Sequence, residues 1–217
     1  MKRRKFISDS IAAVAGAIIL PAIVPSASQS SLPHFRLVEE LIKNGSIGKL
    51  ESVKIGLQLG SVTKSGDNYF DAAAIVAGTQ FTGPFKIEAT ALHRDFIAKA
   101  ESENGITLLA GSNYPDGIRY EGTEGWIFVT ADSRNTDASD KKLLASAIKR
   151  TYINNEHHDN WLKSIFSRHE PVSAAEAGHR ASSIGILMAI AMKTGRKLSW
   201  DPEKERFIND FEANSML

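Results

Sequence analysis

Two dipeptides limit what this chain can fold into: Asn104-Gly105 and Asp116-Gly117, both inside the stretch NGITLLAGSNYPDGIRYEGTEGWIFVT from Asn104 to Thr130. A two-residue hairpin turn needs φ > 0 at both central positions, and Asn-Gly and Asp-Gly meet that need best. Short runs rich in Ile, Leu, Tyr, Phe and Val surround them: Ile106 to Ala110, Ile118 to Glu121 and Trp126 to Thr130. Gly122 and Gly125 punctuate the last two runs, where a bulge or sharp corner is expected. The stretch reads as a meander of antiparallel strands. The residues before it feed strands into the same sheet, and those after it supply helices to cover one face.

Upstream, Phe35, Val38, Leu41 and Ile42 fall on one stripe of a 3.6-residue period, which predicts a helix over Pro33 to Asn44 with Gly45 as its left-handed cap. Val53, Ile55, Leu57 and Leu59 alternate with polar residues and Gly56, a half-buried strand. Ser61 to Asp67 reads as a loop and Tyr69 to Ala77 as a short helix. Phe85 to Ala91 alternates as a second strand, and a third covers about Phe96 to Ala100. Downstream, Ala131 to Ser139 is polar and turn-rich, and Lys141 to Lys149 a loose helical turn. Glu156 to Phe166 is a helix with Trp161, Leu162, Ile165 and Phe166 on one side. Ser173 and Glu176 form a capping box opening a helix that carries Ile184, Leu187, Met188 and Ala191 on one face and ends at Gly195. Arg196 to Pro202 is an extended tail. Strands followed by helices predict an α+β fold: an open-faced antiparallel sheet with helices on one face.

The chain has 217 residues, 42% of them hydrophobic, enough for one good core. A net charge of +1 without any basic stripe argues against nucleic acid. With no cysteine there is neither a disulfide nor a thiolate nucleophile. Residues 1–30 read as an address. Lys2 to Ile7 is a charged leader, Ile11 to Val24 an apolar run too short for a stable membrane span, and Ser26-Ala27-Ser28 a cleavage site. Arg3-Arg4 before Phe6-Ile7 resembles a twin-arginine signal; an ordinary secretory signal is the alternative. The expectation is an exported protein, periplasmic or extracellular, with residues 31–217 as its domain.

Few side chains are placed for chemistry. His157 and His158 are adjacent on a helix and point apart, so His157-His158-Asp159 is a solvated helix start and not a ligand set. His179 and Arg180 sit on the first turns of the long helix, where they could line a pocket or serve structure. Asp71 beside Tyr69 and Phe70 is either a helix-dipole partner or a site carboxylate. There is no G-x-S-x-G, and Gly60 to Gly66 (GSVTKSG) lacks the glycine spacing that cradles a pyrophosphate.

Four segments together resemble the Gfo/Idh/MocA oxidoreductases: Phe35 to Gly56, Gly66 to Gly78, Asn104 to Val129 and His157 to Asn214. The blocks EGTEGWI and GHR…GRKL-x-WDP resemble its secreted branch. The resemblance implies an open-faced C-terminal sheet domain that builds a sugar or cyclitol pocket and often an oligomer interface, so a homo-oligomer through the sheet face is expected. It implies NAD or NADP as the family's cofactor. The sequence departs from the family in three ways. It has no G-x-G-x-x-G and hence no complete Rossmann domain, only a remnant of that domain's end at about 33–60. It has no E-K-P lysine. In the pattern G-x-H-x-x-D it carries Gly66-Asp67-Asn68-Tyr69-Phe70-Asp71, so Asn68 stands at the histidine position and Asp71 at the aspartate position. Asn cannot exchange a proton near neutral pH, and Tyr69, with an ordinary pKa near 10, is a poor substitute base. The expectation is a relative of NAD(P)-dependent sugar oxidoreductases that binds no cofactor of its own and is not self-sufficient in catalysis; the alternative is a non-catalytic saccharide-binding or assembly module.

Overall fold

The computed structural model describes residues 33–57, 73, 84–92, 95–130, 135–148, 157–169, 171 and 175–217. In chain order these form α1 (Pro33–Lys43), β1 (Leu50–Gly56), β2 (Pro84–Leu92), β3 (Asp95–Ser102), β4 (Thr107–Gly111), β5 (Gly117–Gly122), β6 (Trp126–Thr130) and β7 (Thr136–Ala138). They continue as α2 (Lys141–Ile148), α3 (His157–Ser167), α4 (Ala175–Thr194), β8 (Leu198–Asp201), β9 (Arg206–Phe207) and α5 (Phe211–Asn214). The nine strands make one sheet in the order β7-β6-β5-β1-β4-β3-β2-β8-β9. The fold is α+β as expected, with helices on one face.

The meander is not what the chain builds. Asn104-Gly105 does close a hairpin, joining antiparallel β3 and β4. Asp116-Gly117 does not, because β1 lies between β4 and β5, parallel to the first and antiparallel to the second. Residues 112–116 therefore cross over the end of β1. The reason lies in three glycines that pair laterally, Gly111 with Gly56 and Gly56 with Gly117. A methyl on Gly56 would sit 1.8 Å from the Pro115 carbonyl oxygen, and one on Gly111 2.6 Å from Asn113 Oδ1. The crossing segment occupies the space that side chains would fill.

Three more expectations change. The polar stretch at Ala131 to Ser139 contains strand β7, paired with β6, and the loose turn after it is a regular helix, α2. The extended tail is strand β8, paired with β2 through Lys86–Ser199 and Ile87–Leu198. Tyr69 to Ala77 lies outside the described residues except Ala73, and so does Ser173 of the capping box.

One core lies between the sheet and its helices. Val53, Ile55, Ile118, Tyr120, Ile127 and Val129 point into it from the β1–β5–β6 side, where Phe35, Val38 and Leu41 of α1 complete it. On the other side the sheet presents small residues, Ala89, Ala98 and Ala100, under Ile184, Leu187 and Met188 of α4. Large side chains above small ones let helix and sheet approach at interior packing density. The α3 stripe is present but uncovered: Trp161, Leu162 and Ile165 are exposed and Phe166 is 85% exposed. Among the described residues no helix is long and apolar enough to cross a membrane.

Tyr120 is fully buried, and burial, with the Glu39 charge adding to it, pushes its phenol well above the ordinary range. The folded state keeps this proton where the unfolded chain releases it. Stability from this group is therefore intact below pH about 10 and falls as pH rises further, by about 1.4 kcal/mol per pH unit. Urea unfolding at pH 9 and 11 should show a steeper loss for the wild type than for Tyr120→Phe. Equal losses would mean that Tyr120 ionises freely in the folded protein.

Candidate functional site

The face of the sheet opposite the helices carries the most organised polar surface among the described residues. Lateral pairing arranges it in rows. One row, from β6 to β2, reads Phe128, Arg119, Lys54, Leu109, Lys99, Glu88. The next reads Trp126, Glu121, Ser52, Thr107, Glu101, Lys86. The glycine row and the segment 112–116 lie on the far side of the first row.

Glu121 is the centre of one cluster. Lys54 Nζ lies 2.7 Å from its Oε2, and Ser52 Oγ donates to the same oxygen at 3.2 Å. Arg119 Nε is 2.9 Å from Glu121 Oε1, yet it lies out of reach of water without hydrogen-bond alignment. The pair is Coulombic, and the guanidinium gains a second partner by stacking 4.2 Å above the Trp126 ring. Partial burial raises the Glu121 carboxyl, but the Lys54 hydrogen bond and charge, the Arg119 charge and the Ser52 hydroxyl outweigh it and lower the pKa overall. This carboxylate stays ionised near neutral pH, so it can accept hydrogen bonds but does not serve as a proton donor. A second pair, Lys99 Nζ to Glu101 Oε1 at 2.6 Å, lies further along the same rows. The Lys99 hydrogen bond and charge hold the Glu101 carboxyl below its ordinary value.

A shallow cavity of about 170 Å³, lined by Lys86, Glu101, Ser102 and Glu103, opens at the edge of this face. It is smaller than the several hundred Å³ that a typical small-molecule site occupies. No group of three His, Asp or Glu side chains among the described residues could hold a metal ion.

Of the residues expected from sequence, Asn68, Tyr69 and Asp71 lie outside the described residues. His179 and Arg180 act at a corner of the fold. His179 Nε2 is 2.9 Å from Glu205 Oε1, Arg180 Nε donates to Glu176 Oε1 at 2.9 Å, and its NH1 reaches the Pro202 carbonyl at 3.5 Å. Both side chains hold α4 against the turn between β8 and β9. Sequence reasoning missed Ser52, Lys54, Arg119, Glu121 and Trp126. Their alternation was legible, but only the β1–β5 pairing brings Lys54 and Ser52 to Arg119 and Glu121.

A mixed nine-stranded sheet, helices on one face and ion pairs on the other, defines an open-faced α+β domain. Residues 56–217 match the C-terminal alpha/beta domain of the Gfo/Idh/MocA oxidoreductases, and the chain belongs to that family. Its fold is similar to that of an aldose–aldose oxidoreductase from Caulobacter crescentus complexed with glycerol, at 14% identity and a TM-score of 0.57, over 79% of this chain and 62% of that one. An NAD-binding protein from Listeria innocua gives 14% identity and a TM-score of 0.56, over 80% and 62%. An oxidoreductase from Agrobacterium radiobacter, in complex with NAD+, L-tartaric acid and magnesium, gives 12% and 0.53, over 78% and 62%. The chain thus spans about three fifths of the length of these relatives. No protein of curated function matches it.

Proposed function

We propose that this chain is an exported, substrate-side relative of NAD(P)-dependent sugar or cyclitol oxidoreductases. It binds a saccharide or cyclitol, assembles through its open sheet face, and does not carry out hydride transfer by itself. One observation carries this reading. The matched residues, 56–217, are those of the family's C-terminal domain, while the 217 residues contain no G-x-G-x-x-G turn of the kind that seats a dinucleotide pyrophosphate. Asn68 at the family's histidine position removes the proton-transfer group as well. Two structural neighbours hold small polyhydroxylated ligands, glycerol in one and L-tartaric acid in the other, which supports a polyol-type ligand. Asp71, kept at the family's aspartate position, favours the second reading, an enzyme whose dinucleotide domain comes from another chain.

Calorimetric titration tests whether the chain seats a dinucleotide by itself. The purified chain should bind NAD(H) and NADP(H) no better than millimolar, weaker than about −4 kcal/mol. A micromolar constant would restore the self-sufficient enzyme. Fractionation of cells expressing the tagged protein reads the export step: retention in the cytoplasm would remove that part of the proposal.

A further inference from the structure

The chain has two Asn-Gly pairs, Asn44-Gly45 at the end of α1 and Asn104-Gly105 in the β3–β4 hairpin, and both are exposed. Glycine lacks a Cβ, so its backbone nitrogen can reach the side-chain carbon of the asparagine before it. Neither glycine has anything within 4 Å of where a Cβ would stand. The two nitrogens are engaged alike: the Gly45 N–H donates to the Ile42 carbonyl at 2.9 Å and the Gly105 N–H to the Ser102 carbonyl at 3.0 Å. The sites differ at the asparagine side chains. Asn104 Oδ1 accepts from Ser102 Oγ and from the Ile106 N–H, the latter at 3.1 Å. The Ser102 N–H also donates to the Ile106 carbonyl at 3.0 Å, which closes the hairpin around that side chain. The Asn44 carboxamide has no hydrogen bond among the described residues. Asn104 must give up two bonds before its carbon can turn to the next nitrogen, whereas Asn44 gives up none.

We propose that Asn44 is a site of spontaneous deamidation, and that the hairpin protects Asn104 from the same reaction. When the last turn of α1 opens, as helix ends do, the Gly45 nitrogen loses its proton to solvent and attacks Asn44 Cγ. A C–N bond forms, the Cγ–Nδ2 bond breaks, and ammonia leaves with a proton. Water then opens the cyclic imide at either carbonyl, which leaves aspartate or isoaspartate in place of the asparagine. Water is the co-reactant, and nothing is oxidised or reduced. Asp116-Gly117 is not a further site of this kind, because Gly117 is buried in β5 between β1 and β6. The consequence follows from what Asn44 caps. Gly45, at φ 72°, and Ser46 donate to Ile42 and Leu41, both at 2.9 Å, the paired bonds that close a helix on a left-handed glycine. Isoaspartate adds a methylene to the main chain between these donors and their acceptors, so the two bonds cannot both keep their geometry. Aspartate keeps the chain length but sets a negative charge at the negative end of the helix. Since α1 carries Phe35, Val38 and Leu41 into the core, conversion of Asn44 loosens the helix that completes the β1–β5–β6 side.

Ageing the purified chain in mildly alkaline buffer, once native and once in concentrated urea, tests this. Peptide mapping by mass spectrometry reads the gain of about 1 Da at each asparagine as amide becomes acid. In the native chain Asn44 should convert about 10-fold faster than Asn104 or more, because two hydrogen bonds hold the second side chain. In urea, where neither the cap nor the hairpin exists, the two rates should come together. Ser102→Ala removes one of the two donors to Asn104, so it should speed conversion there and leave Asn44 unchanged, with circular dichroism to show that the variant is folded. If it does not fold, the comparison of native and urea samples decides alone. Equal native rates, or a faster Asn104, would overturn the assignment. So would an Asn44 that stays intact in the native chain while the urea sample converts. The aged chain should also unfold at lower urea than the fresh one; a chain fully converted at Asn44 with an unchanged midpoint would overturn the role given to the cap.

Discussion

Gly56→Ala should unfold most of the molecule or leave it barely stable, although it adds one methyl group. The added carbon would sit 1.8 Å from the Pro115 carbonyl oxygen and 2.8 Å from that of Tyr114. Both obstacles are backbone, so no rotamer change relieves the clash. Either β1 must shift from both neighbours or the segment 112–116 must lift off the sheet. β1 sits in the middle of the strand order, with Val53, Ile55 and Leu57 in the core and pairs on both sides. Moving it strains the core, whereas lifting the crossing segment breaks the Ser112 N–H bond to the Phe96 carbonyl at 3.2 Å. Overpacking without backbone obstacles costs about 1–3 kcal/mol, so a loss of about 3–5 kcal/mol is expected, a large part of ordinary domain stability. Gly178→Ala is the control. It lies inside α4 with nothing within 4 Å of the added carbon, so it should be neutral or stabilise by up to about 1 kcal/mol. Urea titration of both variants checks this; a Gly56→Ala midpoint equivalent to less than about 1 kcal/mol of loss would show that the crossing segment yields easily.

That contrast explains what the sequence discloses and what it withholds. Period-2 alternation at Val53 to Leu57 and Phe85 to Ala91, and the 3.6-residue stripe at Ile184 to Ala191, depend only on neighbours along the chain. They are readable, and the structure contains those elements. Strand order is different, because it depends on contacts between distant residues. The dipeptide Asp116-Gly117 has the chemistry of a hairpin turn, and local rules favour one. What overrides it is a gap formed by Gly56, Gly111 and Gly117, which come together only once β1 is inserted. No single glycine in the sequence signals this.

The open-face cluster is hidden for the same reason. Arg119 and Glu121 alternate visibly toward solvent, but their partners Lys54 and Ser52 belong to a strand placed beside them by the non-local pairing. The site expected from family resemblance, Asn68 with Tyr69 and Asp71, was legible as a motif and remains a proposal. His179 and Arg180 gain partners at the α4 corner that only the folded turn between β8 and β9 supplies.

That turn is also where the second large effect is expected. Trp200→Ala should destabilise the protein by about 3–5 kcal/mol, the usual cost of removing a buried tryptophan. Trp200 is 6% exposed and meets Phe207 edge-to-face, ring centres 5.1 Å apart and planes at 69°. Such pairing adds about 0.5–1.5 kcal/mol to the burial of the rings. Around Phe207 the chain is held by one side chain. Asn214 Oδ1 accepts from the Phe207 N–H at 2.7 Å, and its Nδ2 donates to the carbonyls of Phe207 and Asp210 at 2.8 and 2.7 Å. Arg196 adds a fork to Asp210, at 3.0 and 2.8 Å. All of this hangs on a strand joined to β2 through only two residue pairs, at the end of the sheet far from β1. Losing the indole should therefore release β8, β9 and α5 before the rest. Amide exchange at Phe207, Ile208 and Asn214 should accelerate more than exchange at Val53 or Ile118. Trp200→Phe, which keeps an aromatic partner for Phe207, should recover much of the loss. Uniform acceleration across the sheet would mean that this corner unfolds only with the whole domain, and a loss below about 1 kcal/mol would mean that Trp200 is not its anchor.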